Sequence, residues 1–317
     1  MATAPVIPDL KNRILAGDLR AISRAATLLQ AQTNAGRELM AALFPFTERA
    51  MIVGITGPPG AGKSTLIDQL AKALRSVGQT VGIIAVDPSS PYSQGAILGD
   101  RIRMQDHHAD PGVFIRSMAS RGKLGGIARG TLDLALLLDA SGRDVVLIET
   151  VGVGQDEVEI AKLADTTVLV LVPGLGDDVQ ALKAGIMEIA DVFAINKADL
   201  PGADRLEQEI RTMQNLGNVA ERADAAPIRR IVATAGTGVN ELMDAVRAVY
   251  RNRIKKNSRS KIWAIRLREI LRDTLLESLP EAEVEAHAER VSARLEDPYA
   301  AVDALRALIG LYPKSQA

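Results

Sequence analysis

The stretch Gly57-Pro58-Pro59-Gly60-Ala61-Gly62-Lys63-Ser64, followed by Thr65, constrains this chain more than any other. It matches GxxxxGK[ST], follows the β-branched run MIVGIT at 51–56 and opens an amphipathic run, STLIDQL. In that context the spacing builds a phosphate cradle. The glycines reach backbone angles that turn successive N–H groups inward, and the helix start adds partial positive charge. Lys63 is expected to reach β- and γ-phosphates, and the Ser64 hydroxyl to ligate Mg²⁺. A glycine-rich turn that binds nothing would leave the lysine and hydroxyl without a purpose. The implied ligand is a nucleotide polyphosphate.

The surrounding pattern predicts an α/β fold. From residue 50 to about 250, apolar strand-like runs at 51–56, 80–87, 112–118, 144–149, 166–172, 192–196 and 228–234 alternate with helix candidates at 63–77, 124–140, 176–190, 203–216 and 238–254. Runs apolar on both faces suit strands buried between helix layers, which predicts a doubly wound, mostly parallel sheet with ligands at the strands' carboxyl ends. Pro88 to Ala119 breaks the rhythm, as long functional connections do. Flanking helical patterns divide the chain into an N-terminal extension (1–48), the P-loop domain (49–254) and a C-terminal extension (255–317). The last carries a stripe of Ile262, Ile265, Leu267, Ile270, Leu271, Leu275 and Leu276 that needs a partner surface, either its own domain or a second copy.

Two more motifs complete the nucleotide reading. DVVLIETVGVG (144–154) places Glu149 at a strand end, where an acid facing a P-loop holds the Mg²⁺ shell through water, and puts Gly152 where a backbone N–H senses a γ-phosphate. Ras-like GTPases carry Asp at that point in DxxG. VFAINKADL puts Asn196, Lys197 and Asp199 after a strand as NKxD. The acceptor-only carboxylate of Asp199 suits the adjacent N1–H and amine of guanine, and adenine would leave it facing a lone pair. The Lys197 stem would pack along the base, and Asn196 would tie neighbouring loops together. The nucleotide is therefore read as GTP, hydrolysed to GDP. VATAGTGV (232–239) suits a last base-contacting loop, with the backbone of Ala233 and Thr234 near guanine O6. Asp87 in VDPSSP and Asp100 in ILGDRIRM have two open readings: Mg²⁺ and γ-phosphate environment, or N-cap and surface ion pair.

Composition excludes other chemistries. The chain has no cysteine and three histidines, so disulfides, thiolate metal sites and cysteine nucleophiles are out. The net charge of −1 gives no electrostatic ground for nucleic acid or an anionic membrane. With no run of about 18 apolar residues and no apolar leader in MATAPVIPDLKNRILAGDL, the cytoplasm is the expected compartment.

Together GPPGAGKS, ETVGVGQDE, DPSSP…GAILGDRIRM, VPGLGDDVQALKAG and NKADL resemble the SIMIBI class of P-loop GTPases, within it the MeaB/ArgK/MMAA branch. These are chaperone GTPases of adenosylcobalamin-dependent methylmalonyl-CoA mutase, and the resemblance covers roughly residues 10 to 300. It implies that Lys63 and Ser64 bind phosphate and Mg²⁺, and that Asp87, Asp100 and Glu149 belong to the metal and switch environment. Residues 87–106 match a first switch, 150–158 a second, and 174–183 a third that signals to the mutase, with Asp177, Asp178, Gln180 and Lys183 facing nucleotide or partner. It further implies a homodimer through the C-terminal helices and a GTP cycle that gates delivery of adenosylcobalamin. Intrinsic hydrolysis should be slow, with Gln155 the nearest candidate to orient water. An arginine finger would come from the partner, or in cis from Arg116 or Arg121, which could equally be solvated or in surface ion pairs. VATAGTGV departs from the SAK-like loop of Ras-type GTPases.

Two rivals remain within the nucleotide reading. A nickel or cobalt insertase of the same superfamily would carry cysteine or histidine ligand sets. A kinase, an older label for ArgK-like chains, would need an acceptor pocket and base, and NKxD points away from adenine.

Overall fold

The computed structural model describes residues 7–31, 33–87, 107, 109–119, 126–150, 163–174, 186–216, 225–255 and 259–310. The chain divides into two compact units, Met1–Ile262 and Trp263–Ala317. The first is built on seven strands: β1 (Met51–Thr56), β2 (Val81–Asp87), β3 (Val113–Ala119), β4 (Val145–Thr150), β5 (Thr166–Leu171), β6 (Val192–Ile195) and β7 (Ile228–Arg230). Their order is β3-β2-β4-β1-β5-β6-β7, and every neighbouring pair is parallel. All strands thus deliver their carboxyl ends to one edge, with β1 where the chain crosses from one half of the sheet to the other. That is where such folds bind ligands.

Helices cover both faces. Three form the N-terminal part: α1 (Ile7–Leu15), α2 (Leu19–Gln30) and α3 (Asn34–Leu43). The others of this unit are α4 (Lys63–Ser76), α5 (Gly126–Ala140), α6 (Ile186–Ile189), α7 (Ala203–Leu216) and α8 (Val239–Lys255). Side chains alternate along each strand, so β1 and β4 supply two cores. Met51, Val53, Ile55, Val145 and Leu147 pack with Leu66, Leu70 and Leu74 of α4 and Leu242 and Val246 of α8. On the other face Ile52, Val146 and Ile148 pack with α5 and with Leu10, Ile14, Ile22 and Leu39 of the N-terminal helices. The N-terminal helices therefore share a core with the sheet. A third cluster joins Leu169, Leu171, Phe193 and Ile195 to Leu206 and Ile210 of α7.

Two carboxylates fix the link into β1. Asp139 of α5 accepts from the N–H groups of Glu48 (2.6 Å), Arg49 (3.0 Å) and Ala50 (2.8 Å), and Asp165 accepts from Ile52 N–H (2.9 Å). α2 and α3 are capped by the Asp18 and Thr33 side chains.

Strand limits fall within a residue of the sequence expectation except at the last. The run 228–234 stops as a strand at Arg230. Val232 instead bridges Thr237, and residues Ala233–Ala235 form a 3₁₀ turn closed by Gly236 at φ +70°. The expected helix 176–190 is described only at Ile186–Ile189, since 175–185 lie outside the described residues.

The second unit comprises most of α9 (Arg259–Glu277), then α10 (Glu281–Ser292) and α11 (Pro298–Leu308). Buried His287 is bonded to Glu296 at 2.8 Å. Among the described residues no helix is long and apolar enough to cross a membrane.

Candidate functional site

The P-loop leaves β1 at Gly57, whose φ of +143° excludes a side chain on two counts. A Cβ there would also meet the Val170 carbonyl at 2.2 Å. Gly60 (φ +74°) and Gly62 (φ +85°) complete the turn, and a Cβ on Gly62 would meet the Asn196 amide nitrogen at 2.4 Å. Gly62 ends the loop at the start of α4. The loop is thus pressed between β5 and the loop after β6.

Lys63 is 6 % exposed, and its ammonium donates to the carbonyls of Gly57 (2.7 Å) and Pro58 (3.0 Å). Phosphate engagement requires it to exchange those carbonyls for phosphate oxygens. The Ser64 hydroxyl donates to Glu149 Oε1 at 2.5 Å, the short distance of a bond to a carboxylate. Glu149 is 7 % exposed and lies beside Ile55 and Ala85 in the sheet register. Its side chain falls on the α4 face, and those of Thr56 and Thr150 on the opposite face, where their hydroxyls bond at 3.1 Å. Asp87 ends β2, one strand from Glu149, at the same carboxyl edge.

At the other end of the cleft Asn196, 2 % exposed, is a tie between loops. Its amide donates to the Ala61 carbonyl (2.8 Å), and its Oδ1 accepts from the Ala233 N–H (3.0 Å). Lys197 sits at φ +54° and donates to the Gly60 carbonyl at 3.2 Å. Asp199 is exposed at the mouth of a cavity of about 260 Å³ lined by Gly62, Thr65, Asn196, Lys197, Asp199 and Leu200, with Val232, Ala233 and Thr234 opposite.

The structure brings Gly62, Thr65, Asn196, Lys197, Asp199, Ala233 and Thr234 around one cavity, and joins Glu149 to the P-loop through the Ser64 hydroxyl. Of the backbone around Ala233 and Thr234 expected near the base, the Ala233 N–H is bonded to Asn196 Oδ1. Arg116 goes elsewhere, its guanidinium bonding Gln30 and Thr27 of α2, which argues against Arg116 as a finger in cis. Asp100, Arg121, Gly152, Gln155, Asp177, Asp178, Gln180 and Lys183 lie outside the described residues. Leu200 and Val232 were missed as lining residues; each adjoins a motif already read, and an apolar wall beside Asp199 was the available signal.

The oxygen pair of Ser64 and Glu149 fits a hard cation such as Mg²⁺, which takes few protein ligands alongside phosphates. Among the described residues no three His, Asp or Glu side chains converge as a metal cluster of their own.

Comparison with known proteins gives the chain's relatives. Residues 20–285 match the family described as Methylmalonyl Co-A mutase-associated GTPase MeaB. A Pyrococcus abyssi protein with a GTPase designation is 48 % identical, over 96 % of this chain and 98 % of its own. The mitochondrial methylmalonic aciduria type A homolog of Mus musculus is 34 % identical over 81 % of this chain and 68 % of its own. A crystal structure of a LAO/AO transport system kinase superposes with a TM-score of 0.68 at 23 % identity, covering 98 % of this chain and 99 % of that one, a likeness of fold. With three nucleotide motifs meeting at one sheet edge and a family match across most of its length, the chain belongs to the MeaB family of P-loop GTPases.

Proposed function

We propose that this GTPase is the chaperone of an adenosylcobalamin-dependent acyl-CoA mutase, methylmalonyl-CoA mutase first among the candidates, and that its GTP cycle gates cofactor loading and protects the loaded mutase. The observation that supports the reading is the joining of the P-loop to the NKxD loop through Asn196, which suits a nucleotide whose base and phosphates lie at the two loops. The family name and the mammalian relative's name support the mutase as client.

In this reading Asp199 pairs with guanine and Lys197 covers its face. Lys63 and the amides of 57–65 hold the phosphates. Ser64 and Glu149, with Asp87 and Asp100 nearby in sequence to the first switch, hold Mg²⁺, which when bound neutralises phosphate charge. The segments holding Gly152 and Gln155 and those holding Asp177, Asp178, Gln180 and Lys183 report the γ-phosphate to the partner. The second unit leaves Leu267, Leu271, Leu276, Tyr299 and Val302 exposed on its helices, and Leu295 exposed between two of them, which supports a homodimer through that unit. The proposed compartment is the cytoplasm.

Nucleotide-dependent co-elution with an adenosylcobalamin-dependent mutase tests this. Binding that changes between GTP and GDP, with GTP turnover stimulated by the mutase, is expected. Turnover indifferent to every acyl-CoA mutase but raised by a metalloenzyme would overturn it in favour of metal insertion.

A further inference from the structure

The cavity beside Asp199 has an aliphatic wall: among the described residues that line it, none is aromatic. Aromatic side chains, which elsewhere supply stacking surface for a base, make up only 3 % of the chain. Apolar contact with a planar ring therefore falls to Leu200, Val232, Ala233 and the methylene stem of Lys197. These four are not equally free to contribute. Ala233 is already buried, Val232 is half-buried, and Lys197 has its ammonium on the Gly60 carbonyl. Leu200 is 47 % exposed, so it keeps the most apolar surface for a ligand to cover.

The backbone fixes Leu200 in place. Its N–H donates to the carbonyl of Lys197 (2.9 Å), which itself sits at φ +54°, and this closes a tight turn with Asp199 inside it. Ala198 N–H donates to the Ile231 carbonyl (3.1 Å), and Ile231 N–H to the Ile195 carbonyl (2.8 Å), so the turn is stitched to the chain on either side of the cavity. Pro201 follows and narrows the backbone of Leu200 further. A lone exposed leucine is ordinary on a protein surface. This one stands on a fixed turn next to an acceptor-only carboxylate and lines the same cavity, which pairs apolar surface with hydrogen-bond acceptors. A ring with donors along one edge needs both.

We infer that Leu200 sets how tightly the purine ring is held, while Asp199 sets which purine is held. This rests on reading the cavity as the base end of the nucleotide site. An aliphatic contact is blind to the exocyclic groups that a carboxylate distinguishes. It is also made alike before and after the γ-phosphate leaves, so it acts on binding more than on the chemical step.

The test compares Leu200→Ala, Leu200→Met and Asp199→Ala in the full chain. The readouts are affinity for labelled GDP and for inosine diphosphate, whose ring lacks the exocyclic amine, steady-state GTP turnover, and the thermal midpoint without nucleotide. Losing the cover of about half a leucine should weaken both nucleotides in Leu200→Ala by the same factor, about three- to tenfold. The loss should fall on KM more than on kcat, with a midpoint close to the parent's because the side chain is half-exposed. Leu200→Met should recover most of the affinity. The inference is overturned if Leu200→Ala binds GDP like the parent, if it alters the preference for GDP over inosine diphosphate, or if weaker binding follows a lower midpoint without rescue by Met. Asp199→Ala separates the two readings. A GDP preference that is absent from the parent, or survives in Asp199→Ala, removes the base-end assignment itself; its collapse there, with Leu200→Ala binding like the parent, removes only the role of Leu200.

Discussion

The base end and the phosphate end of the cleft differ in what must move. Asn196 is already bonded on both sides of its amide, to Ala61 and to Ala233, so the base wall stands assembled. Lys63 is bonded to the Gly57 and Pro58 carbonyls and Ser64 to Glu149, groups that the proposed phosphate and cation would partly displace. A preassembled base wall gives selectivity without a conformational cost. An end that exchanges hydrogen bonds can couple the γ-phosphate to neighbouring segments. In the proposed function, recognition and switching would reside in separate halves of one site.

The comparison can be broken hardest at the phosphate end. Lys63→Ala should cost about a hundredfold or more in kcat, the scale of losing one preorganised cationic donor; single-turnover GTP hydrolysis reads it. A near-parental rate would mean the Gly57 and Pro58 contacts are the lysine's whole role. Glu149→Gln keeps the shape and removes the charge beside Ser64. It should weaken Mg²⁺ dependence about 10- to 100-fold, partly restored by excess Mg²⁺, as measured by Mg²⁺ titration of turnover.

At the base end Asn196→Ala leaves a buried carbonyl and a buried N–H without their partner. The expected cost is about 1–3 kcal/mol, seen as a lower thermal midpoint together with weaker GDP binding. A loss of binding without a loss of stability would show that Asn196 is not the tie between the loops. The smallest effect lies on the α4 flank. The Arg75 guanidinium, and after it the Gly112 N–H, hold the Asp110 carboxyl below its ordinary 3.8. Because the folded value is depressed, the pair's contribution is complete above the ordinary value and is lost as pH falls through the lowered one. The stability gap between the parent and Asp110→Asn should therefore shrink below pH 3.8, as followed by urea midpoints.

Much of this was readable in the sequence, for identifiable reasons. Strands apolar on both faces, such as VVLIET and TTVLVL, read as buried parallel strands because nothing else buries every position. Gly57 and Gly62 announce their positive φ, and Glu149 and Asn196 follow directly from strand ends. What was hidden depends on long-range pairing. The strand expected at 228–234 is cut short because Asn196, far away in sequence, takes the Ala233 N–H into a 3₁₀ turn. No local pattern links Arg116 to Gln30, or His107 to Asp68, since each pair is made by the packing of separate helices and strands. The cap on β1 by Asp139 is of the same kind.

The account stands on one guanine nucleotide spanning both halves. The most direct test titrates labelled GDP and ADP against the parent and against Asp199→Ala. A marked preference for GDP in the parent, collapsing in the variant while Lys63 and Ser64 remain intact, is the predicted result. Equal affinity for the two nucleotides in the parent, or a preference that survives loss of the Asp199 carboxylate, would contradict it.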